Sequence, residues 1–387
     1  MDIIYGPSQQ PISVDKYIFK QIINPDSGYG FGRTSAISNS GDVIVIGKSH
    51  DTASPIPNGA AYIYTGNTGN GWDFKQKINN IQNISEIRIS DDNGIIAIGN
   101  PGYNDGKVEI YTVSIDNGWQ FKQSIYYHGE SFGENVAMSD NGNIIISSAP
   151  MFNLPGYNGL LAIYTGNKND GWSIKQYIFG TSLAPAASRL GASISANNDA
   201  STIAVGATFQ NYTGAVNIYT GNVSNGWSLY QTIFGNSLSS YFGHHSILNK
   251  NNNVLAILDI HSGYIYAKEQ NSWNFKQAVS GTYTSVALAH DGNIIIFGNS
   301  NPAGSVDIFY KKNNNWNLKE QISGAAYYRL GNYINIDKNN TMLASAYEYN
   351  NTGAVLIYEK GISQPYQDQD VIFSFAFDDK INFNPAS

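Results

Sequence analysis

Cysteine is absent from the chain, which excludes disulfides, Cys-ligated zinc, iron–sulfur sites and a thiolate nucleophile. Charge is sparse: Asp, Glu, Lys and Arg make up 13% of 387 residues, and the net charge is −7. Without a basic stripe to hold a phosphate backbone, nucleic acid is not an expected partner. No run approaches the roughly 18 apolar residues that a membrane-spanning helix needs. The opening MDIIYGPSQQ lacks a basic start followed by a long apolar stretch, so no signal peptide is expected, and the protein is placed in the cytoplasm or in a particle. No G-x-S-x-G, H-E-x-x-H or P-loop occurs. Of six histidines only His244 and His245 adjoin. Neighbours on a strand point to opposite faces, so the pair reads as packed or channel-lining side chains, not as joint ligands of one metal.

What the sequence does contain is repetition. With 42% hydrophobic residues there is enough apolar side chain for a real core, and heavy use of Asn, Ile, Lys and Tyr suggests an AT-rich genome. The phrase NGWDFKQ, from Asn70, returns in variants around Trp119, Trp172, Trp227, Trp273 and Trp316, at intervals of 47, 53, 55, 46 and 43 residues. A second phrase, G-x-V-x-I-Y, occurs in phase from Gly59, Gly106, Gly159, Gly214, Gly263, Gly304 and Gly353. Seven copies of one face six of the other. The missing one is KYIFKQI, with Tyr17 in the tryptophan position 55 residues before Trp72. Short alternating segments separated by Asn, Asp and Gly turns predict four strands per unit and a nearly all-β protein. The expected fold is a seven-bladed β-propeller in which the N-terminal strand, 16–23, completes the last blade and so removes open sheet edges. Tyr17, Trp72, Trp119, Trp172, Trp227, Trp273 and Trp316 are the expected blade anchors, with the Lys and Gln that follow them in solvent. Residues 1–13 read as an arm, 14–360 as the ring and 361–387 as an extension with a strand around 371–377.

The order of an FG pair, a GAP-like element, G-x-V-x-I-Y and a Trp strand resembles the FG-GAP repeat, the blade unit of integrin alpha subunits and many bacterial surface proteins. Phe31-Gly32, Phe132-Gly133 and Phe242-Gly243 keep the FG pair, Leu190-Gly191 and Leu330-Gly331 keep its glycine, and Ser148-Ala149-Pro150 approximates the GAP element. The resemblance covers about residues 14 to 360. It implies calcium in Asp-rich loops between first and second strands, but SNSGD, SDDNG, SDNGN, ANNDA, NKNNN, AHDGN and DKNNT lack the several carboxylates such a site uses. These loops read as hairpin turns, and no cofactor or metal is expected.

Four strands per unit assign the loops to two faces. Connections one-to-two and three-to-four are small and polar. The others would ring one mouth with Tyr29, Tyr103, Tyr126, Tyr127, Phe152, Tyr157, Tyr212, Tyr241, Tyr327, Tyr328 and Tyr349, side chains suited to protein or glycan recognition. The extension offers a second interaction element, an alternating strand with Phe373, Phe375 and Phe377 on one face. The expected function is a non-enzymatic protein-interaction or structural module, such as a component of a virus particle. A lectin-like glycan binder is the alternative. A hydrolase is third, since it would need carboxylates converging in the central channel.

Overall fold

The computed structural model describes residues 15–24, 30–48, 59–81, 83–102, 106–114, 116–128, 131–155, 157–181, 188–238, 240–301, 303–324, 329–347 and 353–362. The arm, most of the C-terminal extension and the strand expected around 371–377 lie outside them. The described residues are all-β, with a single 3-10 turn at Gln210–Tyr212. Their strands form seven antiparallel four-stranded units, spanning 31–79, 86–126, 136–181, 190–234, 245–280, 285–323 and 334–362. The seventh has three consecutive strands, Ile334–Ile336, Met342–Tyr347 and Gly353–Ile362, and takes its fourth from Asp15–Ile23, which pairs antiparallel with Gly353–Ile362.

Burial follows position in each sheet. Second strands such as Val43–Lys48, Ile95–Asn100 and Thr202–Ala207 are buried along almost their whole length, because their Val and Ile side chains face a neighbouring sheet on either side. Seven apolar cores result, each shared by two consecutive units. The seventh joins last to first: Leu343, Val355, Ile357 and Ile23 pack with Phe31, Ile44, Ile46 and Trp72. First strands of all seven units line one cavity of about 140 Å³.

The two repeated phrases are the joints of this arrangement. Every anchor, Tyr17 and the six tryptophans, is buried. Trp172 donates its indole N–H to the Gly142 carbonyl in the first turn of its own unit at 2.9 Å, and Trp72, Trp119, Trp227 and Trp316 do the same in theirs. The glutamine four residues on does not stand in solvent. Gln76 Nε2 donates to the Trp119 carbonyl at 2.7 Å, and the Trp119 amide donates to Gln76 Oε1 at 2.9 Å, so one side-chain amide closes on the backbone of the next unit. Gln21–Trp72, Gln123–Trp172, Gln176–Trp227, Gln231–Trp273 and Gln277–Trp316 repeat this two-bond clasp at 2.7–3.0 Å. At the seventh joint Glu320 takes the glutamine's place and accepts from the Tyr17 amide alone, at 2.9 Å.

The G-x-V-x-I-Y glycine has an equally local reason. Gly159, at φ +85°, bridges Leu190 of the following unit. A Cβ on Gly353 would lie 1.7 Å from the Phe31 carbonyl oxygen. Only a residue without a side chain allows that approach.

Candidate functional site

The third unit departs from its siblings. Its last three strands, Ile144–Leu154, Tyr157–Asn167 and Gly171–Thr181, are eleven residues each, whereas the corresponding strands of the first unit have six, eight and nine. The added length carries aromatic side chains past the end of the core. Tyr127 lies 5.2 Å from Tyr177 and 5.6 Å from Phe152, centroid to centroid. Phe179 lies 5.8 Å from Phe152 and 5.0 Å from Tyr157. Offset and edge-on contacts at these distances make one cohesive surface. Met151, Leu154, Tyr157, Tyr177 and Phe179 are exposed on it, and Phe152 is buried beneath.

The run continues into the fourth unit. Arg189 Nη2 meets Met151 Sδ at 3.0 Å, its guanidinium lies 4.8 Å from the centre of the Phe209 ring, and Phe209 meets Tyr241 edge-on at 5.2 Å. A cation over a ring face adds attraction to packing. Backbone geometry singles out two of these residues. The position before each FG-like pair is left-handed: Gly30 fills it in the first unit, and Ser131, Arg189, Tyr241 and Arg329 fill it at φ +64°, +50°, +53° and +49°. Glycine adopts this conformation at ease, whereas a side chain there costs of order 1 kcal/mol. Arg189 and Tyr241 bear that cost where they join the aromatic run.

Of the face residues expected from sequence, Tyr127, Phe152 and Tyr157 come together and Tyr241 joins through Phe209. Tyr126 and Tyr212 are exposed without a ring contact to the run. Tyr29, Tyr103, Tyr327, Tyr328 and Tyr349 lie outside the described residues, as do Phe373, Phe375 and Phe377. Sequence reasoning missed Tyr177, Phe179, Phe209 and Arg189. A signal was present, since the two longest tryptophan intervals, 53 and 55 residues, flank Trp172.

The shared cavity is the second place where ionisable groups meet. Glu86 pairs with Arg88, which lines the cavity, and accepts from the hydroxyl of Tyr333, which adjoins the first strand of the seventh unit. His245 stands within electrostatic reach of Arg88, and burial pushes it down to about 4, so it is neutral near pH 7. At the turn-side mouth Asp91 accepts from Asn39, Asp140 pairs with Lys250, and burial lowers His290 to about 4. Each of these carboxylates is held by a neighbouring donor, an arrangement that joins first strands of different units. The first turns use their polar side chains in the same way: Ser38, Ser90, Ser139, Asn197, Asn249 and Asp337 each accept from a backbone amide four or five residues ahead. Among the described residues no group of three or more His, Asp or Glu side chains is placed to hold a metal. No helix of the described residues is long and apolar enough to cross a membrane.

Compared with protein-family models and with curated proteins, the chain matches none.

Proposed function

We propose that the seven four-stranded units are blades of a seven-bladed β-propeller of FG-GAP-like repeats, and that the molecule is a non-enzymatic interaction module whose aromatic face receives a protein partner. The ring is supported by the core between last and first units and by the cavity that all seven first strands line. The functional reading rests on the aromatic run from Tyr127 to Tyr241, with Arg189 and Tyr241 kept at backbone positions that would suit glycine. Tyrosine and arginine on a rigid scaffold supply contact area at low entropic cost. Among the described residues one such surface is present, built on one unit and its neighbour, which favours a protein partner over a glycan bound in similar pockets on every unit. The role that suits it is a structural or surface component of a larger assembly, such as a virus particle.

The test is affinity capture from native material with mass spectrometry, beside a glycan array. The wild type is expected to retain a defined protein set that Tyr157→Ala/Phe179→Ala loses and Phe74→Ala, exposed on the outer strand of the first unit, keeps. Equal recovery by all three overturns the assignment of this face, and array binding abolished by the double variant replaces the protein with a glycan.

A further inference from the structure

The outer strand of the seventh unit breaks a rule that the other six obey. The residue after the anchor is polar in all of them: Asp73, Gln120, Ser173, Ser228, Asn274 and Asn317. In the seventh it is Ile18, 45% exposed. Four residues on stands Ile22, 41% exposed, where the other units have Lys, Ser, Tyr, Thr, Ala and Gln. No other unit puts a branched aliphatic residue at either position. The two do not share a face. Tyr17 packs in the core between sixth and seventh units and Ile23 in the core between seventh and first. An even spacing would keep both on one side of a regular strand, so the extra residue between Phe19 and Gln21 turns the strand over. Ile18 therefore faces one way and Ile22 the other, and a segment that covers both must straddle the strand's outer edge.

The chain leaves the described fold beside this strand, since Ile362 is paired with Asp15. The 25 residues beyond it include VIFSFAF at 371–377, in which Phe373, Phe375 and Phe377 alternate with Ile372, Ser374 and Ala376. An alternating segment presents apolar side chains on both sides of an edge. The nine residues from Ile362 to Val371 reach about 30 Å when extended, which matches the roughly 30 Å length of a nine-residue strand. The N-terminal arm begins equally near, but its MDIIYGPSQQP carries two prolines and no such alternation.

We infer that residues 371–377 dock in cis along the outer edge of strand Asp15–Ile23 and cover Ile18 and Ile22. The segment thereby locks the strand that completes the seventh unit.

The absence of cysteine gives a direct test. In the full chain carrying Ile22→Cys, maleimide labelling is expected to be at least about tenfold slower than in the same chain with Phe373→Ser/Phe375→Ser/Phe377→Ser. Equal rates overturn the proposal, whether the thiol is open in both or covered by the N-terminal arm. Protection that fades on dilution overturns it too, by assigning the cover to a second copy. Thermal melting supplies the companion reading: Ile18→Asn/Ile22→Lys and the triple Phe variant should each lower Tm by about 2–6 °C. Combined, they should lower it no further than either alone, whereas additive losses overturn the contact.

Discussion

Asp337 is the residue with the least comfortable environment in the described fold. It occupies the turn position held by Ser38, Ser90, Ser139, Asn197 and Asn249, and its Oδ1 accepts from the Asn339 and Thr341 amides while Oδ2 is buried without a donor. Burial raises its carboxyl to about 6. Folding therefore favours the protonated form: the penalty is absent below about pH 4, grows as pH rises to about 6 and is complete above it. Asp337→Asn should stabilise the protein at pH 7 by about 1–3 kcal/mol and flatten its stability between pH 4 and 6, as measured by urea unfolding across that range. Asn249 shows why the amide fits, since its Oδ1 serves the same turn while Nδ2 donates to the His290 carbonyl of the next unit. Tyr241 presents the opposite trade. Tyr241→Gly relieves the left-handed backbone and should leave Tm equal or higher while partner capture falls at least about tenfold; Tyr241→Ala keeps the strain and should lose on both counts.

At the scale of elements, the outer strands share one device that discourages pairing between exposed sheet edges. Each has one residue too many for its partner, and the extra residue is Lys20, Lys75, Lys122, Lys175, Lys276 or Lys319, with Tyr230 in the fourth unit. A bulge carrying a charge spoils the long regular ladder that the edge of another molecule would need, while still admitting a short tethered segment. Beside it, Phe74, Phe121 and Phe275 stack edge-on against the tyrosines that end G-x-V-x-I-Y, so the two phrases meet within every such unit. The clasps make a further prediction. Gln176→Ala removes both bonds to Trp227 and should cost about 1–3 kcal/mol. At the seventh joint a carboxylate cannot donate to the Tyr17 carbonyl, so Glu320→Gln should add the missing bond and about 0.5–1.5 kcal/mol, visible as a higher Tm at pH 7. Burial raises the Glu320 carboxyl, so the gain should shrink as falling pH protonates the wild-type residue and makes it a donor.

Unit count and strand order were legible in the sequence because anchors recur and period-two alternation is a local property; Tyr17 could be recognised from its neighbours alone. The clasp was not legible. Gln76 meets Trp119 43 residues away, and nothing within one unit marks that glutamine as bonded. Of the aromatic face, loop tyrosines such as Tyr157 were visible as a compositional excess, but Tyr177 and Phe179 were hidden as outward positions of an ordinary fourth strand. Only the three-dimensional extension of the third unit brings them to the surface with Tyr127.

For the whole molecule, pairing of Asp15–Ile23 with Gly353–Ile362 makes the first strand part of the last unit. A circular permutant that carries residues 15–23 after 362, joined by a short turn, should melt within a few degrees of the wild type. Deleting 15–23 should instead expose the seventh core and abolish cooperative unfolding in calorimetry, because Tyr17 and Ile23 belong to two different cores.

The same pairing sets a schedule for biosynthesis. Lys20 and Glu359, salt-bridged at 2.9 Å, are 339 residues apart in sequence. At about 5–20 residues per second, the first strand leaves the ribosome on the order of 20–70 s before its partner exists. Throughout that interval the nascent chain offers unsatisfied edges, and a product released early keeps them. Synthesis of Gly353–Ile362 is thus the event that satisfies the first strand, and chains terminated before it are the ones that chaperones and proteases should recognise.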